Sequence, residues 1–189
     1  MHSVERSACS IETPWHSWMS LVSLMSHILP KGYDTEMARI RVATTISVPP
    51  KAVWAAISDI STHVDWMDDA VAIRFTTARR QGVGTTFDCD TKVGPFSLVD
   101  RMTITEWKPD KVMGVRHEGL VKGSGRFTLR RQRGGRTRFT WDERLVVPWR
   151  LGGPITAVPL AFILRRVWRK NLTHLKALVE RESACSSSG

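Results

Sequence analysis

Three ionisable side chains stand out because each shares strand parity with apolar residues. Glu143 falls in step with Phe139, Trp141, Leu145 and Val147. Asp100 falls in step with Phe96, Leu98, Met102 and Ile104, and His117 with Met113 and Val115. Successive strand residues point to opposite faces, so all three are expected to project among apolar neighbours. Burial without partners raises a carboxylic acid's pKa and lowers a histidine's, which is how proton-transfer sites are commonly built. Glu143, His117 and Asp100 are therefore the candidate catalytic residues, able to shuttle protons or hold the polar edge of a ligand. The alternative is that they satisfy one another, the backbone or water, as most buried polar groups do.

Sharper chemical motifs fail. Gly123-Ser124-Gly125 lacks the G-x-S-x-G frame and lies inside a strand, so Ser124 is not an elbow nucleophile. Gly82-Val83-Gly84 leads into a strand rather than a helix, which removes the geometry of a phosphate cradle. Six scattered histidines without H-E-x-x-H, and cysteines at 9, 89 and 185, indicate neither a metal site nor a disulfide framework. No cofactor is expected, and a reducing cytoplasm is the expected compartment.

The elements that position these residues follow from periodicity. Ile40, Val42 and Thr44 alternate in a first strand, and Pro49-Pro50 ends it. Pro50 suits a helix's first turn, where its missing N–H costs nothing. Val53, Trp54, Ile57 and Ile60 then share one helical face, and Ser61 is placed to cap a second short helix holding Val64 and Trp66. Alternating segments follow at about 70–76, 84–92, 96–107, 111–118, 120–131 and 136–147, with Gly, Pro and Asp turns between them. Pro148 closes the last strand and Gly152-Gly153-Pro154 makes a corner. A helix from Pro159 to Glu182 carries a stripe that includes Leu160, Leu164, Val167, Trp168, Leu172, Leu175 and Val179. Short links predict an antiparallel meander: an α+β chain whose curved seven-stranded sheet wraps around the C-terminal helix, with two short helices between strands 1 and 2.

That order, with four local motifs, resembles the START-like or SRPBCC superfamily, the polyketide cyclase/dehydrase-like proteins of Bet v 1-type helix-grip fold. The segment Arg39–Trp66, the G-x-G-T of Gly82–Thr85, the T-E-W-K-P of Thr105–Pro109 and the G-G-R-T-R-F-T-W of Gly134–Trp141 carry the resemblance, which covers about residues 38–182. It implies a cavity between sheet and helix that encloses a hydrophobic small molecule: a lipid, polyketide or aromatic metabolite. Candidate ligand contacts are then Trp66, Leu98, Asp100, Met102, Val115, His117, Phe127, Trp141, Glu143, Leu164 and Trp168; for the tryptophans, Trp54 included, ordinary core packing is the competing role. Binding or carriage ranks first. A cyclase, aromatase or dehydratase working by acid–base transfer is the alternative, and a regulatory or toxin-like interaction protein is the third reading.

Residues 1–36 lack strand alternation and read as a poorly ordered extension or a start placed too early. Their one helical candidate, Trp15–Leu29, makes a poor signal peptide, with Glu5 in the basic region and Ser and His in the apolar one. Residues 37–182 form the domain and 183–189 a polar, disordered tail. The net charge of +10 is carried by the domain, since the first 36 residues hold two basic groups against four acidic ones. Lys122, Arg126 and Arg130 share outward parity with Arg136, Arg138 and Arg144 across the neighbouring strand. Such a stripe keeps the protein solvated or meets an anionic membrane surface or acidic partner. Few outward aromatics interleave with it, which disfavours nucleic acid.

Overall fold

The computed structural model describes residues 37–146, except 95 and 120, and residues 153–186. The readings for residues 1–36, Val147, Pro148 and Gly152 lie outside the described residues, as do residues 187–189 of the expected tail. β1 (Met37–Ile46) leads into α1 (Pro50–Ser58) and a short 3-10 helix (Ile60–Asp65). Then come β2 (Ala70–Phe75), β3 (Thr86–Val93), β4 (Phe96–Lys108), β5 (Val112–Glu118), β6 (Lys122–Arg131) and β7 (Thr137–Val146). α2 (Gly153–Ser186) closes the chain. The seven strands form one sheet in the order β1-β7-β6-β5-β4-β3-β2, every pair antiparallel. The helix-grip α+β architecture is the one the periodicity predicts.

Local chemistry explains the elements. Pro49 is extended at the N-cap of α1 and Pro50 occupies its first turn, and Val53, Trp54 and Ile57 are buried. The cap of the 3-10 helix is a correction: Asp59, not Ser61, holds it, accepting from the Ser61 backbone N–H at 3.0 Å and the Ser61 hydroxyl at 2.5 Å. Asp59 stands one residue before the helix, where a carboxylate meets its free amides. The G-x-G-T turn needs its glycines, because Gly82 and Gly84 have φ of 87° and 86°, a region that L side chains avoid. That turn aims the Gly84 N–H at Ile104 O (2.9 Å), tying it to β4.

α2 also differs from the sequence reading at both ends. It begins at Gly153, so Pro154 takes the harmless first-turn position and Pro159 falls in the second turn. It runs on to Ser186, four residues into the expected tail, because Ser183 to Ser186 include no Gly or Pro to stop it. Along its inner side Trp168, Leu172, Leu175 and Val179 are buried against Ile40, Val42, Ile46, Phe139 and Trp141. Each fully buried Ile or Leu of this kind contributes roughly 1.5–3 kcal/mol.

Polar ties fix the helix on the sheet. Glu180 accepts from the Ser47 backbone N–H at 2.6 Å. Fully buried Asn171 accepts from the Asp68 N–H (3.0 Å) and donates to the Asp69 carboxylate (2.6 Å). Burial pushes the Asp69 carboxyl above its usual range, and the Asn171 amide counters that push. Asn171→Leu removes the partner of the Asp68 N–H and leaves the Asp69 carboxylate only its own backbone N–H, so a loss of about 2–3 kcal/mol in urea unfolding is the expected outcome.

The outer face corrects the picture of a plain basic stripe. Lys122, Arg126, Arg130, Arg136, Arg138 and Arg144 are exposed as predicted. Carboxylates cross the same face, however. Arg126 pairs with Glu106 (2.7 Å), Arg39 with Asp142 (2.8 Å), Arg101 with Asp88 (2.9 Å) and Arg116 with Glu118 (2.8 Å). Outward parity of the cations does not reveal the acids beside them. Exposed pairs of this sort add little stability each, but they cut the net field of the face. No described helix is long and apolar enough to cross a membrane.

Candidate ligand site

The three ionisable residues meet. His117 Nδ1 lies 2.5 Å from Asp100 Oδ2 and Nε2 lies 3.2 Å from Glu143 Oε1. All three are buried, at 8%, 6% and 4% exposure for His117, Asp100 and Glu143. Strand register supplies the geometry. Met102 is the cross-strand partner of His117, which puts Asp100 two residues along β4 on the same face. Val115, Gly125 and Glu143 form one row across β5, β6 and β7, while His117 faces Gly123 in the next inward row.

His117 and Glu143 therefore sit on strands separated by β6 and can touch only if β6 offers no side chain between them. Gly125 provides that slot: a Cβ there would stand 2.6 Å from Glu143 Oε1 and closer still to Oε2. Gly119 does the same beside Asp100, where a Cβ would stand 2.8 Å from Oδ1. Parity and motif reasoning do not find these glycines. The signal for them is nevertheless in the sequence, since glycine inside a strand marks a close approach; G-S-G reads first as a failed nucleophile motif.

The electrostatics follow from this geometry. Burial opposes charge on His117, but hydrogen bonds and charge from Asp100 and Glu143 outweigh it and raise its pKa to about 10. His117 is thus an imidazolium at neutral pH, with both N–H groups donated to carboxylates. Asp100 Oδ1 and Glu143 Oε2 remain buried acceptors without a hydrogen-bond partner. Trp66 Nε1 and Trp141 Nε1 are buried donors in the same condition.

Apolar groups surround the cluster. Leu98, Met102 and Val115 are half-buried on the strands that carry Asp100 and His117, and Cys89 is the register partner of Asp100. Burial raises the Cys89 thiol to about 11, which leaves it inert at neutral pH. The candidate aromatic contacts divide differently. Trp141 stacks on Trp168 at 5.0 Å, Phe127 meets Trp141 edge-on at 5.1 Å, and Trp66 packs against both Phe127 and Trp141. Together with Phe139 these rings are core. Trp54 is core as well, edge-on to Trp107; a bulge between Ile104 and Glu106 turns Trp107 inward. Because Trp168 faces Trp141 and Glu180 reaches Ser47, α2 runs antiparallel to β7. Half-buried Leu164 therefore lies toward the Glu143 end.

Among the described residues, one surface depression borders the site and another lies away from it. One of about 380 Å³ is lined by Arg116, His117, Glu118, Lys122 and Gly123 at the β5–β6 hairpin. The other, of about 430 Å³, lies near Pro50, Lys111 and Arg131. Among the described residues no cluster of histidine, cysteine and carboxylate side chains could hold a metal ion.

Residues 37–180 match the family described as polyketide cyclase/dehydrase and lipid transport. The chain belongs to that family. Solved structures of the same fold accompany this cyclase/dehydrase match. The Zhui aromatase/cyclase from Streptomyces sp. R1128 aligns with a TM-score of 0.67 at 16% identity, covering 78% of this chain and 96% of that one. The Thermus thermophilus protein TTHA0849 aligns at 0.68 and 15% identity, covering 77% and 99%. The di-domain aromatase/cyclase StfQ from the steffimycin biosynthetic pathway aligns at 0.64 and 14% identity, covering 78% of this chain and 52% of that one. At these identities the likeness is one of fold. No match to the chain is found among the curated proteins.

Proposed function

We propose that this polyketide cyclase/dehydrase-family chain binds a hydrophobic small molecule whose polar end docks on the Asp100–His117–Glu143 cluster. The observation that carries this reading is a buried Asp100–His117–Glu143 island with apolar side chains around it and two carboxylate oxygens left unpaired. Buried acceptors without partners cost about 1–3 kcal/mol each, and a ligand donor removes that cost. Leu98, Met102, Val115 and Leu164 supply the apolar contact nearest to the island. Trp141 and Trp168 form its floor.

Binding is favoured over catalysis by the state of His117. A general base at neutral pH needs a free lone pair, and His117 has both nitrogens donated and a pKa raised to about 10. The enzyme reading survives only through the carboxylates, with Glu143 Oε2 or Asp100 Oδ1 as the atom that accepts a proton from a bound polyketide-like substrate. Membrane, acidic-partner and toxin-like roles rest on the basic face, which is partly neutralised by its own carboxylates.

Native mass spectrometry of the protein purified from its own host tests the proposal. A co-purifying hydrophobic molecule, released by solvent and rebound by the stripped protein with quenching of tryptophan fluorescence, is the expected result. A stripped protein that binds no lipid, polyketide or aromatic probe overturns it. Glu143→Gln tests the enzyme reading: turnover of a polyketide-like substrate that falls about 10²–10⁴-fold with binding retained supports it, and unchanged turnover removes Glu143 from catalysis.

A further inference from the structure

The charge of the inner face restricts what the ligand's polar end can be. Besides Asp100 and Glu143, the half-buried Asp69 carboxyl just before β2 is held by Asn171. Against these acids the buried polar and charged residues include two histidines, His63 and His117, and no Lys or Arg among the described residues. His63 adds no cation at neutral pH. Its Nε2–H donates to Ile57 O at 2.8 Å, and burial in apolar surroundings lowers its pKa to about 4. His117 is a cation, but each of its N–H groups already faces a carboxylate. The arginines and lysines lie on the outer sheet face, in turns and along the helices α1 and α2, none of them buried among the described residues, and several close ion pairs. Arg116, held by Glu118, and Lys122 border His117 only from the surface depression at the β5–β6 hairpin.

The free hydrogen-bonding atoms carry the same message. Asp100 Oδ1 and Glu143 Oε2 accept only; neither can receive a ligand carboxylate or phosphate without bringing like charges together at low dielectric. The unpaired indole N–H groups of Trp66 and Trp141 are neutral donors, suited to a carbonyl but unable to offset an anion's loss of hydration.

We infer that the ligand's anchoring group is a hydrogen-bond donor, a hydroxyl or a protonated amine, and that carboxylated and phosphorylated molecules, free fatty acids included, are rejected. This rests on the binding reading above and narrows its ligand class. The donor would sit at the Asp100–His117–Glu143 cluster, on one of its two unpaired carboxylate oxygens. Its hydrocarbon body would lie along Leu98, Met102, Val115 and Leu164.

A matched panel on one skeleton tests it: 2-naphthylmethylamine, 2-naphthalenemethanol and 2-naphthoate, titrated near neutral pH into stripped full-length protein by calorimetry. The expected order places the amine and the alcohol each at least about tenfold tighter than the carboxylate. An amine advantage over the alcohol assigns the selection to charge; parity assigns it to hydrogen bonding, and both support the inference. A carboxylate that binds as tightly as the other two, or tighter, overturns the inference and leaves the binding reading standing. Failure of all three compounds, and of the co-purified molecule, overturns the binding reading and the inference with it. In Asp100→Asn and Glu143→Gln, each checked for a cooperative melt, the carboxylate penalty should shrink to within about threefold. The wild-type panel decides the matter even where a variant fails to fold.

Discussion

Gly125→Ala should destabilise the protein by about 3–5 kcal/mol. The added Cβ would fall 2.6 Å from Glu143 Oε1, so the carboxylate must leave its place above β6. Glu143 then loses His117, and His117 Nε2–H loses its acceptor, at two residues that are only 4% and 8% exposed. The cost is that of breaking a buried ion pair, far above the small helix or strand propensity difference between Gly and Ala. For a domain of this size about 3 °C of melting temperature accompanies each kcal/mol, so a fall of roughly 10 °C is expected. The mechanism has its own control. In a Glu143→Ala background the methyl has room, so Gly125→Ala should cost under about 1 kcal/mol there. Equal costs in both backgrounds would show that Gly125 serves the strand rather than the carboxylate.

The same substitution shows what the sequence can and cannot reveal. Strand parity puts Glu143, His117 and Asp100 inward, because one inner face is buried and a period of two leaves no freedom. Parity does not report which inward residues touch. Contact between His117 and Glu143 spans β6, and it depends on register between β5, β6 and β7 and on the absence of a side chain at Gly125. Register is a long-range property that single-strand patterns do not contain. The outer face fails for the opposite reason. Arg126 and Glu106 are twenty residues apart and meet only because β4, β5 and β6 are adjacent, so a tally of outward cations overstates the positive field. Tryptophans are ambiguous in composition alone; the structure adds that Trp141 and Trp168 stack on each other within the buried cluster. The start of α2 is displaced because proline reads as a start wherever it precedes apolar periodicity, and both Pro154 and Pro159 qualify.

Stability should be greatest near pH 6.5 and should fall on both sides for reasons carried by two different histidines. The folded pKa of His117 is raised to about 10, so its stabilising contribution is fully present below the unfolded value near 6.5. It is lost as pH rises toward 10, because the unfolded chain has already given up its proton while the folded protein still holds one. The slope is about 1.4 kcal/mol per pH unit while this single group dominates. Cys89, raised to about 11, adds to the loss only above the ordinary thiol range, so the interval from about pH 6.5 to 8.5 belongs to His117. His63 acts with the opposite sign, and the raised Asp69 carboxyl, protonated first in the folded protein as pH falls, offsets part of its effect. The folded pKa of His63 near 4 means that the unfolded chain takes up a proton first as pH falls below 6.5. Its loss is complete near pH 4, where the exposed carboxylates paired with arginine begin to contribute as well. Urea unfolding across this range measures both limbs, and ring ¹⁵N shifts of the two histidines identify them directly. Asp100→Asn removes one of the two anions holding the proton on His117, so the alkaline limb should end at a lower pH while the acid limb stays in place. An imidazole of His117 that titrates near 6.5 in the folded protein would falsify the cluster, because a histidine between two buried carboxylates cannot give up its proton so readily.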